Sequence, residues 1–313
     1  MNRRLILTQV VMYAAVLTAC GDGKNDDGRI PIELPLQVGG IWNGSATGTI
    51  DPSPGTTAIS ATAATNLDDA DISFFTTEAD IVSGISQFRL VSDSAIQAVG
   101  EILVTEGETS QDDDTIEGSF TAYAPDGYVF SFDAKTAACT LTGVFRETID
   151  QDLEEVKSID ASYECRDEDQ LITASGRILA DYNAMLYEQP SSISRIAGDV
   201  GNSENWCGLD FSTTNNNVEL AFDIFNDGTQ GIVNGSNIEG CQYSGAIDII
   251  DAAFNLYGIT LTADACEFLD GTYSGLATYK AGADGSPDEF IYQIDNGNTI
   301  TTQPVYRGAC VVN

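Results

Sequence analysis

Cys241-Gln242-Tyr243-Ser244-Gly245, preceded by Asp227-Gly228 and followed by Cys266 and Asp270-Gly271, is the clearer copy of a pattern used twice. The fainter copy is Cys139-Thr140-Leu141-Thr142-Gly143, with Asp126-Gly127 before it and Cys165 and Asp169 after it. Both aspartates and the second cysteine recur at an offset of 101 residues, and the first cysteine at 102. Apolar and polar residues alternate around these landmarks. Val218, Leu220, Phe222 and Ile224 are interleaved with Glu219, Ala221 and Asp223. Tyr257, Ile259, Leu261 and Ala263 are interleaved with Gly258, Thr260, Thr262 and Asp264. In the fainter copy Ile159, Ala161, Tyr163 and Cys165 repeat the pattern. Period two marks a half-buried strand, because successive side chains point to opposite faces. The Asp-Gly pairs and Asn296-Gly297 supply the positive φ that tight turns between strands need. The pattern predicts an all-β chain of two tandem antiparallel units, each a barrel or a sandwich.

One detail resists the repeat. Cys165 shares a face with the apolar residues before it, whereas Cys266 is in phase with Thr262 and Asp264. A one-residue slip reverses every face. Either a bulge precedes Cys266 or the two copies are misaligned locally.

Working outward, Ile85–Val91 reads as a strand, and Ile116–Ala124 and Tyr128–Phe132 flank Pro125-Asp126-Gly127 as a hairpin. Asp270-Gly271 leads into Thr272–Tyr279, and Asn296-Gly297 joins Phe290–Ile294 to Thr299–Tyr306. Residues 51–115 are the least readable part, rich in Ala, Ser and Thr, with Asp112-Asp113-Asp114 read as a solvated loop. At the junction, residues 182–198, Tyr182, Met185 and Leu186 have helical spacing and Pro190 interrupts. Ser191 or Ser192 then caps a single turn that closes at Gly198.

Residues 1–19 read as an export leader, with Arg3 and Arg4 ahead of an apolar run from Leu5 to Val16. The run is too short to cross a bilayer as a helix. Leu17-Thr18-Ala19-Cys20 resembles the bacterial lipobox. That resemblance implies cleavage before Cys20, lipid on its thiol and durable anchoring by more than one acyl chain. Gly21, in place of an inner-membrane retention aspartate, implies an outer-membrane lipoprotein facing the periplasm or the cell surface. Residues 20–38 follow as a tether. Asp22–Glu33 spans the length of a calcium loop, but Lys24 and Asp27 stand where a ligand and a glycine belong. The first β unit is then 39–190 and the second 191–313.

Composition narrows the chemistry. Net charge is −35, and removing Arg3 and Arg4 with the leader makes the mature chain more negative. Such a surface repels nucleic acid and suits salty surroundings, or collects Ca²⁺ or a cationic partner. There is no histidine, which removes Ser-His and Cys-His mechanisms and the commonest transition-metal ligand. With Cys20 lipidated, six of the seven cysteines remain, an even number that suits disulfides in an exported chain. The repeat pairs Cys139 with Cys165 and Cys241 with Cys266, leaving Cys207 with Cys310. No CxxC spacing suggests a metal site, and no resident cofactor is expected.

Gly240–Gly245, Asn255-Leu256-Tyr257 and Gly271–Thr278 resemble a group of uncharacterised bacterial lipoproteins with one or two such β units. Tyr187–Ser192 is similar to their inter-unit connector, and the resemblance covers residues 116–313. It implies no known activity. The function expected is a lipid-anchored, non-catalytic binding or adhesion module, holding a protein or glycan ligand in its loops or barrel mouth. The alternatives are a structural envelope component and a carboxylate-based hydrolase acting on polysaccharide. Where Trp42, Trp206, Tyr182, Tyr187 and Tyr279 point separates the first two: an open cavity favours binding, a filled core favours structure.

Overall fold

The computed structural model describes residues 38–50, 65–80, 83, 85–91, 96–107, 113–124, 130, 134–149, 155–209, 219–266, 269–283 and 285–308. The leader, most of the tether, Cys20 and Asp126-Gly127 lie outside these residues.

The first unit runs β1 (Gly40–Ile50), β2 (Thr65–Thr76), β3 (Ile85–Val91), β4 (Gln97–Thr105), β5 (Asp114–Tyr123), β6 (Thr136–Ile149), β7 (Glu155–Arg166) and β8 (Ile172–Tyr182). Each strand pairs antiparallel with the next, and β8 closes on β1 from Trp42↔Tyr182 to Ile50↔Ala174. The second runs β9 (Ser203–Leu209), β10 (Glu219–Asn226), β11 (Gly231–Asn237), β12 (Gln242–Ile249), β13 (Tyr257–Asp264), β14 (Gly271–Lys280), β15 (Glu289–Asp295) and β16 (Ile300–Arg307). It closes through Val305↔Gly208, Tyr306↔Cys207 and Arg307↔Trp206. Both units are therefore closed barrels, and closure leaves no open sheet edge.

Eight strands enclose a lumen just wide enough for side chains to fill or for one small ligand. Here side chains fill it. In the first barrel Trp42, Phe74, Phe88, Phe120 and Tyr163 form a chain of ring contacts with centroids 5.5–6.3 Å apart. In the second, Trp206, Tyr257, Phe290 and, farther along, Phe222, Tyr243 and Tyr292 do the same work.

The ends are packed by chain outside the strands. Phe130 sits at a bend, its N–H donating to the Ala134 carbonyl at 2.8 Å, and its side chain joins the first core. Of the strand expected over Tyr128–Phe132 only Phe130 is among the described residues, and the described partner of β5 begins at Thr136. Between the barrels lie α1 (Ala184–Tyr187) and α2 (Ile193–Ala197). Tyr182 ends β8, so helical spacing overreached by beginning there. Ser192 caps α2, accepting from the Ser194 N–H, and Gly198 ends it at φ 73°. Ile193, Ile196 and Ala197 go into the second core.

The first and second cores are joined by a third cluster of Ile41, Phe75, Tyr187, Leu256 and Leu276. These include outward-facing strand residues that are buried because the other barrel or the connector covers them. Burial therefore runs continuously through Ile41-Trp42, Phe74-Phe75 and Leu276–Tyr279, where an isolated barrel would alternate.

Candidate functional site

Two disulfides are present as expected, Cys139–Cys165 and Cys241–Cys266. Cys139 and Cys165 are direct cross-strand partners on β6 and β7 with Cα atoms 4.0 Å apart, the close spacing of a pair that exchanges no backbone hydrogen bonds. Both point into the core. Cys241 and Cys266 flank β12 and β13, Cα atoms 4.6 Å apart. The phase conflict at Cys266 is resolved by Ala265, which stands at φ 59°. That one left-handed residue turns the chain back, so Cys266 is buried although the strand's alternation predicts an outward position. Cys207 is also disulfide-bonded. Its expected partner Cys310 lies outside the described residues.

The aromatic candidates are placed inward. Trp42 and Trp206 are 0 % exposed, Tyr187 2 % and Tyr279 7 %, and Tyr182 packs partly buried against the first core. Trp42 donates to Thr76 Oγ1 at 2.9 Å, and Trp206 to the Ile196 carbonyl at 2.8 Å. Arg307 lies over the Trp206 ring, 5.0 Å from its centroid, and donates to the Arg195 carbonyl in α2. Arg195 in turn lies 4.7 Å over Tyr279 and donates to the Pro190 carbonyl and Gln189 Oε1, both at 2.8 Å. The two guanidiniums bolt α2 and the connector onto the end of the second barrel.

A groove of about 470 Å³ is lined by residues of β3, β4, β5 and β6. The cross-strand row Phe88–Gly100–Phe120–Cys139 runs along it. Gln87, Arg89, Glu101, Ser119 and Thr121 supply its polar groups. Arg89 is already engaged: its Nη1 meets Asp295 Oδ2 of the second barrel at 2.7 Å.

Cations elsewhere are engaged too. Arg146, Lys157, Arg166, Arg177, Lys280 and Arg307 each pair with a carboxylate of this chain. The bidentate Arg177 contact, 2.7 Å to each oxygen, holds the Asp160 carboxyl below the usual range. Asp227 is held low by the backbone N–H groups of Gln230 and Thr229 in its turn, which confirms the turn role of Asp227-Gly228. Burial pushes Asp288 upward, but bonds from the Gly282 N–H and Tyr279 hydroxyl and the charges of Arg307 and Arg195 outweigh it, so it too is low. Of the run 112–114 expected as a loop, Asp112 lies outside the described residues, Asp113 pairs with Arg146, and Asp114 begins β5 and accepts from the Gly107 N–H. Among the described residues no three His, Cys, Asp or Glu side chains converge as a metal site.

Asn255, in the motif singled out by sequence, is a fully buried hub. Its Nδ2 donates to the Leu186 carbonyl at 2.9 Å and the Tyr279 carbonyl at 2.6 Å, and its N–H donates to the Tyr187 carbonyl at 2.8 Å. It ties the connector to the second barrel, and only its place between two apolar residues hinted at burial. No protein-family model matches the chain, and no curated protein matches it either.

Proposed function

We propose that the chain is a lipid-anchored envelope protein whose contribution is structural: two solid barrels on an acylated tether, acting as a non-catalytic spacer. The observation that carries this reading is the filling of both lumens by large aromatic and aliphatic side chains, with Trp42 and Trp206 wholly buried. A ligand in either barrel would have to displace core packing worth several kcal/mol. The anchor rests on the lipobox resemblance at Cys20. Among the described residues, the carboxylates with displaced proton affinity, Asp160, Asp227 and Asp288, are all displaced downward. A glycosidic general acid needs the opposite displacement.

A second reading, a protein or glycan ligand, is favoured by the groove lined by β3–β6. One experiment separates the two. The native bacterium lacking the gene is complemented with wild-type, Cys20→Ala and Gln87→Ala/Thr121→Ala chains, and sensitivity to detergent is scored. The spacer reading expects rescue by wild type and the groove variant, but none by Cys20→Ala. Rescue lost only in the groove variant would replace it with the binding reading, and full rescue by Cys20→Ala would remove the anchor from it.

A further inference from the structure

The barrels touch along one seam that has an apolar and a polar part. Near the connector is the apolar cluster of Ile41, Phe75, Tyr187, Leu256 and Leu276. Beside it, where Arg89 is the cross-strand partner of Phe75 and Gln293 that of Leu276, β3 and β4 meet β15 and β16 through polar groups. Arg89 pairs with Asp295, Gln293 Nε2 donates to the Leu90 carbonyl, and Thr302 Oγ1 donates to Gln97 Oε1 at 3.1 Å. Apolar contact is non-directional, so beside a linker it leaves the barrels free to slide and turn on each other. Directional polar bonds along the same seam remove that freedom.

We propose that the seam is a clasp, in which the apolar cluster holds the barrels together and the Arg89–Asp295 clip beside it fixes their orientation. The division of labour follows from the chemistry. Burying Ile41, Phe75 and Leu276, which would otherwise face water from their strands, drives association. The polar side contributes less net free energy, because ion pairs lose hydration when buried and Gln293 Oε1 there has no protein donor. Polar groups are directional, however, so the clip selects one orientation from those the apolar cluster allows. Arg89 is 9 % and Asp295 15 % exposed at the side chain, so salt screens the pair weakly. Removing Arg89 alone leaves Asp295 covered and uncompensated, which favours an opened seam.

The inference deepens the spacer reading, yet it is tested on purified mature chain, so failure in cells and failure of the clasp are distinguishable. Wild type is expected to unfold in one calorimetric transition and to scatter X-rays as a particle of fixed maximum dimension. Arg89→Met should split the transition in two and lengthen that dimension, while near-ultraviolet dichroism shows both cores intact. The charge reversal Arg89→Asp with Asp295→Arg should restore single-transition melting. Arg177→Met, which breaks the exposed pair with Asp160, should leave both readouts at wild-type values. Two transitions in wild type, unchanged scattering and melting in Arg89→Met, or splitting in Arg177→Met would each overturn the clasp.

Discussion

The Tyr187 ring lies stacked on Phe254, centroids 4.6 Å apart and planes 9° from parallel. Its hydroxyl donates to Glu78 Oε1 of the first barrel at 3.0 Å, while its carbonyl accepts from the Asn255 N–H beside the second. Gly39 makes this possible, because a Cβ there would collide with the Glu78 carboxylate and the Tyr187 hydroxyl. One connector residue thus meets both barrels. Tyr187→Ala should cost about 4 kcal/mol by cavity formation. Tyr187→Phe should cost only about 1 kcal/mol through the lost hydrogen bond. Urea titration of the two variants checks the ratio, and equal losses would show that the ring contributes little.

Alkaline pH should unfold the protein through its buried phenols. Burial pushes Tyr163 up to about 12, and burial, assisted by the charge of Asp295 against Arg89, pushes Tyr123 to about 12 as well. Tyr187 is raised further, by burial and then by Glu78. The folded state therefore keeps protons that the unfolded state releases above about pH 10. The stabilising contribution is complete below that pH and is lost as pH climbs through about 12. Each such tyrosine should lower stability by about 1.4 kcal/mol per pH unit across the window. Tyrosinate absorbance should rise together with loss of the fold; ionisation of these phenols in a still-folded chain would contradict the prediction.

Arg307 should prove harder to replace than its ion pair with Asp288 suggests. The guanidinium lies over Trp206, meets Asp288 Oδ2 at 3.2 Å and reaches the Arg195 carbonyl in α2. A lysine keeps the charge but not the planar fork. Arg307→Lys is expected to cost about 2 kcal/mol and to speed amide exchange in α2, with a shift in Trp206 fluorescence. A lysine variant with wild-type exchange would reduce Arg307 to a surface charge.

Each disulfide closes a loop of nearly equal length, with sequence separations of 26 and 25. Restriction of the unfolded chain alone then predicts equal losses of about 3 kcal/mol for Cys139→Ala/Cys165→Ala and Cys241→Ala/Cys266→Ala. Both pairs are buried in their cores, so packing should add a similar loss to each. Denaturant melts of both variants compare the two losses. Peptide mapping without reductant should recover Cys139–Cys165 and Cys241–Cys266, and a link between the barrels would refute the pairing.

Local pattern was legible and non-local pairing was not. β3 emerges with the bounds that its alternation predicts, and β10, β13 and β15 lie where their apolar residues recur at period two. Closure leaves no such trace, because the pairing of Trp42 with Tyr182 joins residues from opposite ends of the first barrel. β2 was hidden because its Asn, Asp and Ala residues break the apolar pattern before Ile72. The seam was hidden because burial from outside interrupts alternation. Ile41-Trp42 and Phe74-Phe75 are adjacent large apolar pairs of the kind that betray a strand covered on both faces. The 101-residue repeat also carries a subtler lesson. It relates β6 and β7, sixth and seventh in their barrel, to β12 and β13, fourth and fifth in theirs. Trp42 on β1 and Trp206 on β9, each wholly buried in the first strand of its barrel, mark positions of equal rank instead.

Ala265 offers a test of the bend that returns Cys266 to the core. At φ 59° its Cβ crowds the backbone, at a cost of about 1 kcal/mol for any residue with a side chain. The Asp264 side chain accepts from the Ala265 N–H at 3.0 Å, and Asp270 accepts from the Cys266 N–H at 2.6 Å, so the turn is held from both sides. Glycine adopts this conformation freely, although it also gains freedom in the unfolded chain. Ala265→Gly should therefore raise stability by at most about 1 kcal/mol. Ala265→Val should lower it by more than that, since branching at Cβ worsens the same clash. If the bend places Cys266, the valine variant should also slow formation of the Cys241–Cys266 bond during oxidative refolding. Unchanged oxidation in that variant would mean that the hydrogen bonds of Asp264 and Asp270, rather than the backbone at 265, bring the two sulfurs together.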